Sequence, residues 1–125
     1  MTELVIDKLA NAYVNYYKSK KHSTKNPNWW AVEKFMHVGT EELSAADCLS
    51  AILNILSKNP SDKVIAILAA GPLEDLIHEC GEQVIDDIEK LARQNPKFRH
   101  LLGGVWESST PEIWSRVLAC RSEVW

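Results

Sequence analysis

Residues 44–60 read SAADCLSAILNILSKNP, and this stretch carries the signals that decide the fold class. Ser44 and Asp47 have the Ser-x-x-Asp spacing of a capping box, in which side chains satisfy free N–H groups at the start of a helix. Apolar residues then recur every three or four positions, which is the period of an amphipathic helix. Asn59-Pro60 ends the pattern, because proline disfavours helical backbone in the residue before it. The stretch therefore predicts one helix with a single buried face.

The same helical period extends along nearly the whole chain, and no stretch alternates apolar and polar residues as a half-buried strand does. Gly71-Pro72 and Gly81 are typical of breaks between helices, and Gly103-Gly104 of a helix end. Residues 64–68 are nearly all apolar, which predicts a central helix. We predict a single all-α domain over residues 1–125 with about seven to eight helices, comprising an N-terminal helix at 1–20 and a core at 26–121.

Asn-Pro occurs three times, at residues 26, 59 and 95, with separations of 33 and 36 residues. The apolar positions upstream of the second and third copies align without a gap. Units of this length built from two helices form stacked hairpins, each burying its apolar face against its neighbours. Asn-Pro is also a common helix stop. The sequence thus leaves two architectures open, stacked helical hairpins (HEAT-like) or an irregular helical bundle.

The net charge of −3 conceals a strong segregation along the chain. Residues 41–89 hold eleven acidic and two basic side chains, whereas residues 1–40 and residues 90–125 each hold three acidic and six basic ones. An acidic middle steers partners of opposite charge, although charged residues on helices also simply solvate the surface. Six carboxylates that fall off the predicted apolar faces are candidate partner-binding residues: Glu74, Asp75, Glu79, Glu82, Asp86 and Asp87.

The five tryptophans are a second source of candidates, since tryptophan is frequent both in cores and at binding hot spots. We expect at least three of them to lie in the core. Trp29 and Trp30 are adjacent, so they lie about 100° apart on a helix and cannot share one buried face. Trp29 and Trp106 are the candidate anchors for a partner.

Patterns that support catalysis or metal binding are weak. Glu74 and His78 share a helix face but form only a pair, and no HExxH or CxxC motif occurs. Cys48, Cys80 and Cys120 are widely spaced and predict buried, reduced thiols, and Cys80 lies on an apolar face where a thiol is inert. We therefore predict a protein that is not an enzyme, with no catalytic residue, no metal site and no cofactor.

The overall charge also bears on the class of partner. The isoelectric point of about 5.8 disfavours nucleic acid as a direct partner, although the basic residues between Lys18 and Lys25 could touch phosphate. The N-terminus lacks the pattern of a signal peptide, and no apolar stretch is long enough to cross a membrane. These features predict a cytoplasmic protein that binds another protein and no membrane. They leave the oligomeric state open.

Three segments carry a resemblance to a known family: WAVEKF at residues 30–35, AAGPLEDL at 69–76 and LGGVW at 102–106. Together they resemble an uncharacterised family of small bacterial helical domains, over about Trp29 to Arg121. The resemblance implies an all-helical fold and brings no activity or site residue with it. In size, charge and helix content the chain is also similar to the small acidic immunity proteins that bacteria keep beside secreted toxins, an analogy at the level of the fold.

Charge layout and this similarity together lead to one functional prediction. We expect an immunity-type protein that binds a basic toxin domain, most naturally a nuclease, and blocks its active site. The alternative is a helical scaffold or regulatory adaptor, which would use an apolar groove between hairpins in place of a charged face. Sensitivity of binding to salt separates the two, since charge-led association weakens as salt rises.

Overall fold

A computed structural model describes residues 1–125 and confirms the all-α prediction, with 70% of the chain helical and no strand. Side chains of the predicted type begin several helices. Ser44 accepts a hydrogen bond from the Asp47 N–H at α3, and Thr110 accepts one from the Ile113 N–H at α7. The helices are α1 (Glu3–Lys18), α2 (Trp29–Met36), α3 (Ala45–Ser57), α4 (Asp62–Leu68), α5 (Glu74–Gln94), α6 (Pro96–Leu102) and α7 (Pro111–Cys120).

The odd-numbered helices pack against one another in succession. α1 packs against α3, α3 against α5, and α5 against α7, while α2 covers α1 and α6 covers α5. Their inner faces meet in one continuous cluster of 37 buried hydrophobic residues, which includes Leu9 of α1, Ile52 of α3, Ile88 of α5 and Val117 of α7. No polar or charged residue is buried, so burial of apolar side chains drives the assembly.

The second and third Asn-Pro turns lie side by side. A short turn at Asn59-Pro60 joins α3 to α4, and a turn at Asn95-Pro96 joins α5 to α6, with α3 beside α5 and α4 beside α6. The Lys97 Nζ donates a hydrogen bond to Asn59 Oδ1 and so links the two turns. This order of neighbouring helices favours the stacked-hairpin alternative for residues 45–102.

One of the two predicted breaks between helices is wrong. Gly71-Pro72 does not separate two helices, because a π-helical turn at Ala69–Leu73 joins α4 directly to α5. The widened turn accommodates a proline, which has no N–H to donate to the preceding turn. The break predicted at Gly81 is confirmed within one residue, because Cys80 has non-helical backbone, with φ −129° and ψ 21°, and α5 consists of two helical segments on either side of this kink.

Helix α4 is also not central, although its sequence is almost entirely apolar. Only Val64 and Leu68 are buried, whereas Ile65 and Ile67 are partly exposed at the edge of the hairpin stack. An apolar helix can lie at the periphery when the side chains that face away from the core line a groove. The groove next to Ile65 is described under the proposed function.

The tryptophans and cysteines follow the expectations in part. Trp114 alone is buried among the five tryptophans, so the prediction of three in the core is wrong. Trp29 is half-buried and Trp30 exposed, as their adjacent positions predict. Cys48 and Cys80 are buried free thiols, and Cys120 is half-buried.

Candidate protein-binding surface on helix α5

Helix α5 presents its carboxylates outward because its other face is fixed in the core. Leu76, Ile77, Val84, Ile85 and Ile88 are all buried, at helical spacing on both sides of the kink. The same periodicity leaves Asp75, Glu79, Glu82 and Asp87 in solvent. The sequence therefore predicted correctly that these carboxylates lie off the apolar face.

Asp75, Glu79, Glu82 and Asp87 are all exposed along α5, and we refer to these four carboxylates as the acidic face. None of the four lies within salt-bridge distance of a lysine or arginine. Glu79 has only His78 nearby, with 3.9 Å between Oε1 and Nε2, and both side chains are exposed. The charge of this face is thus left to solvent or to a partner.

The environment at the start of α5 changes the pKa of Asp75. The pKa of Asp75 is raised by partial burial of the carboxyl group first, and then by the neighbouring Glu74 and Glu79 carboxylates. Repulsion between like charges raises a carboxyl pKa in this way. The carboxylates of Glu74, Asp75 and Glu79 are therefore close enough to repel one another at the start of α5.

Asp86, the remaining predicted contact on the second half of α5, has a partner within the protein. Arg116 of α7 donates from Nη2 to Asp86 Oδ1 at 2.6 Å and also binds both carboxylate oxygens of Glu89. This fork lowers the pKa of Glu89, mainly through the hydrogen bond from Arg116. Arg116 thus partly neutralises this end of α5 and connects it to α7.

Arg116→Met is expected to lower the free energy of unfolding near neutral pH, because two carboxylates lose their common donor. Since the folded pKa of Glu89 is lowered, the stabilisation is present above the ordinary glutamate pKa of about 4.3 and is lost as pH falls through the folded value. Urea unfolding at about pH 7 and about pH 3 measures the difference. Lys90→Met, which removes an exposed cation without an ion pair, is the control. A deficit of equal size at both pH values would contradict this role.

The loop between α6 and α7 brings Trp106 to the start of α5. The Trp106 N–H donates to Glu74 Oε1 at 3.0 Å, so two residues 32 positions apart are joined. The loop and α5 enclose an open cleft of about 570 Å³, lined by Glu74, Asp75, His78, Trp106, Glu107, Ser108 and Ser109. Three residues predicted independently, Glu74, Asp75 and Trp106, therefore meet in one place.

Close approach to α5 fixes the position of this loop. A Cβ atom on Gly81 would lie 2.7 Å from Ser109 Oγ and 3.1 Å from Ile113 Cγ2, so a larger residue would require these two side chains to shift. Ser109 itself has the left-handed backbone conformation, with φ 66°. The sequence contains no signal for Glu107 and Ser108 as cleft residues, because their proximity to Asp75 arises only from this tertiary packing.

Trp29, the other predicted anchor, lies in a different environment. It begins α2, where its Nε1 donates to Glu33 Oε2 at 2.9 Å. Its ring packs against Tyr16 of α1, with 5.9 Å between the ring centroids. Nothing joins Trp29 to the acidic face, and its contacts are those of a residue that holds α2 on α1.

Metal-binding and nucleophilic geometry is absent around these residues. No group of three or more His, Cys, Asp or Glu side chains is arranged to hold a metal ion. Burial raises the pKa of Cys48 to about 12, and burial also raises the pKa of Cys80. Thiols with raised pKa values remain protonated at neutral pH and are poor nucleophiles. What this surface offers chemically is charge and an exposed aromatic ring.

Comparison with known families supports the resemblance in its coarser form. The profile of a family of unknown function, DUF6869, matches residues 18–124. The chain belongs to this family. The DUF6869 match extends further than residues 29–121, since it includes the basic segment after α1 and most of the C-terminal tail. Searches against curated proteins and against solved structures gave no significant match.

Membership of DUF6869 brings no activity with it, so the function rests on the geometry of this chain. Two of the segments that carry the resemblance, residues 69–76 and 102–106, meet where Trp106 is bound by Glu74. None of the helices combines the length and the apolar composition that crossing a membrane requires.

Proposed function

We propose that this protein is a toxin-neutralising immunity protein. It binds a basic toxin domain, which we take to be a nuclease, and blocks the active site of that domain. One observation carries the proposal: Asp75, Glu79, Glu82 and Asp87 are exposed along one helix with no lysine or arginine partner. A nuclease must hold an anionic backbone, so its active site is cationic. An acidic helix is complementary to such a site.

The charge of the acidic face would increase the rate at which the protein associates with its toxin. Opposite potentials steer two proteins together and raise the association rate by one or more orders of magnitude at low salt. The proposed role needs no catalytic group and no cofactor. It places the protein in the cytoplasm, where free thiols such as those of Cys48 and Cys80 stay reduced.

The test is binding to a basic toxin domain encoded beside this gene, measured by calorimetry and by inhibition of its activity. Glu79→Lys combined with Glu82→Lys should weaken the complex by about tenfold or more, because each reversal places a cation against a basic partner. Glu3→Lys combined with Glu123→Lys makes the same change in net charge on α1 and in the C-terminal tail, and should have little effect. Absence of a complex, or equal affinity of both double variants, would refute the proposal.

A second function, a helical adaptor, is favoured by a separate observation. The two linked Asn-Pro turns enclose an apolar groove of about 330 Å³, lined by Leu56, Asn59, Pro60, Ile65, Pro96, Lys97 and His100. An apolar side chain of a partner would fit a groove of this kind. Binding there would persist as salt rises and would be weakened by Ile65→Asn, whereas Glu79→Lys would leave it unchanged. That pattern would favour the adaptor over the immunity protein.

A further inference from the structure

Trp106 combines exposure with a fixed position. The residue is 78% exposed, so most of its large apolar ring system is in contact with water. Its backbone is nevertheless held by the hydrogen bond to Glu74, and the residue before it, Val105, is buried in the core. An exposed indole whose backbone is held in this way is typical of an interaction anchor.

The residues that line the cleft beside the Trp106 ring favour a positively charged ligand. Glu74, Asp75 and Glu107 contribute carboxylates to the same cleft, and no lysine or arginine lines it. Ser108 also lines the cleft, and its Oγ is enclosed and makes no hydrogen bond within the protein. A ligand that satisfies the cleft must therefore be positively charged, must offer several hydrogen-bond donors, and must have a face that stacks on indole.

We infer that the cleft beside Trp106 receives an arginine side chain of the protein partner. The guanidinium stacks on the indole and directs its N–H groups to the carboxylates of Asp75 and Glu107. Arginine meets all three requirements, since it is planar, carries five donors and stacks on aromatic rings. Lysine offers a compact, strongly hydrated charge and no planar face. This inference rests on the proposed function and names the side chain by which the acidic surface recognises its partner.

The experiment uses three acetylated and amidated tripeptides, Gly-Arg-Gly, Gly-Lys-Gly and Gly-citrulline-Gly, with the full chain. The indole Nε1–H signal of Trp106 is followed by NMR and assigned from its absence in Trp106→Leu. The arginine peptide should shift this signal in a saturable way, and the lysine peptide should bind about fivefold more weakly because it lacks the stacking contribution. Citrulline keeps the shape of arginine without its charge and should leave the signal unchanged.

Two variants separate the parts of the site. Trp106→Leu keeps the backbone N–H that Glu74 binds, so the loop stays in place while the stacking surface is lost. In that variant, saturable shifts of the Asp75 and Glu107 amide signals should weaken about fivefold. Asp75→Asn should weaken binding of the arginine peptide and leave the response to citrulline unchanged. Trp30→Leu removes another exposed indole and should change nothing.

The outcomes distinguish this inference from the proposed function. If the arginine peptide leaves Trp106 unperturbed, or if all three peptides act alike, the arginine site is refuted, even when charge reversal on α5 still weakens a toxin complex. If the arginine peptide binds as described and no toxin domain is captured, the cleft stands and the immunity function fails.

Discussion

Phe98→Ala is expected to lower the free energy of unfolding by about 3–5 kcal/mol, the range found when a buried aromatic side chain is cut back to a methyl group. Phe98 lies in α6 and is fully buried, with 0% of its surface exposed. α6 packs against α3, α4 and α5, so the ring lies where the two hairpins meet. Loss of the ring removes its transfer free energy and leaves a cavity between two helix pairs.

Denaturation by urea, followed by far-ultraviolet circular dichroism, measures this effect as a lower midpoint at unchanged slope. Phe98→Leu retains much of the volume and should cost about 1–2 kcal/mol. Trp106→Ala removes a larger ring from the surface and should stay within about 0.5 kcal/mol of the original. If Phe98→Ala lowered the free energy of unfolding by less than Phe98→Leu does, the packing of α6 would not depend on the Phe98 ring.

Helix starts were predictable because the interactions that fix them are local. Ser44 and Thr110 each accept a hydrogen bond from an N–H three residues ahead, and Asn95 accepts from both Lys97 and Phe98. Sequence spacing alone determines such contacts. The segregation of acidic residues onto the exposed side of α5 was predictable for the same reason, since it follows from the helical period.

Helix ends inside the core were not predictable in this way. Gly71-Pro72 has the local pattern of a break, but Pro72 and Leu73 are buried, and this packing keeps the chain helical through a π turn. Local preference is a weak determinant when burial opposes it. The position of α4 at the edge of the stack was unpredictable from its composition, because only the order of the hairpins decides which apolar helix is central.

The candidate site likewise has a part that was predictable from local sequence and a part that was not. Its exposed carboxylates were predictable, whereas their partners come from distant parts of the chain. Arg116 reaches Asp86 across 30 positions, and Glu74 reaches Trp106 across 32. The first contact neutralises one end of the predicted patch, and the second adds an aromatic ring to the other end. The sequence therefore predicted an acidic helix, and tertiary packing determined which part of it is available to a partner.

Gly103→Val is expected to detach the C-terminal tail and to lower the free energy of unfolding by about 1–3 kcal/mol, the usual cost of forcing extra atoms into a packed site. Gly103 has ordinary helical backbone, with φ −65° and ψ −16°, so its torsion angles do not require glycine. The requirement is contact, because a Cβ atom there would collide with the Glu123 carbonyl oxygen. The tail holds this position through the Trp125 Nε1, which donates to the His100 carbonyl, and through the Trp125 ring, which stacks on His100.

Displacement of the tail should be seen as a change in the Trp125 indole NMR signal together with a lower urea midpoint. Gly71→Ala is the matched control, because nothing lies within 4 Å of a Cβ atom at that position. There, the loss of backbone freedom in the unfolded chain should raise the free energy of unfolding by about 0.4–1 kcal/mol. Opposite signs for the two variants would show that glycine is kept at 103 by the passing tail. An unchanged Trp125 signal in Gly103→Val would contradict the packing of the tail on α6, and with it the reason for a glycine at the end of that helix.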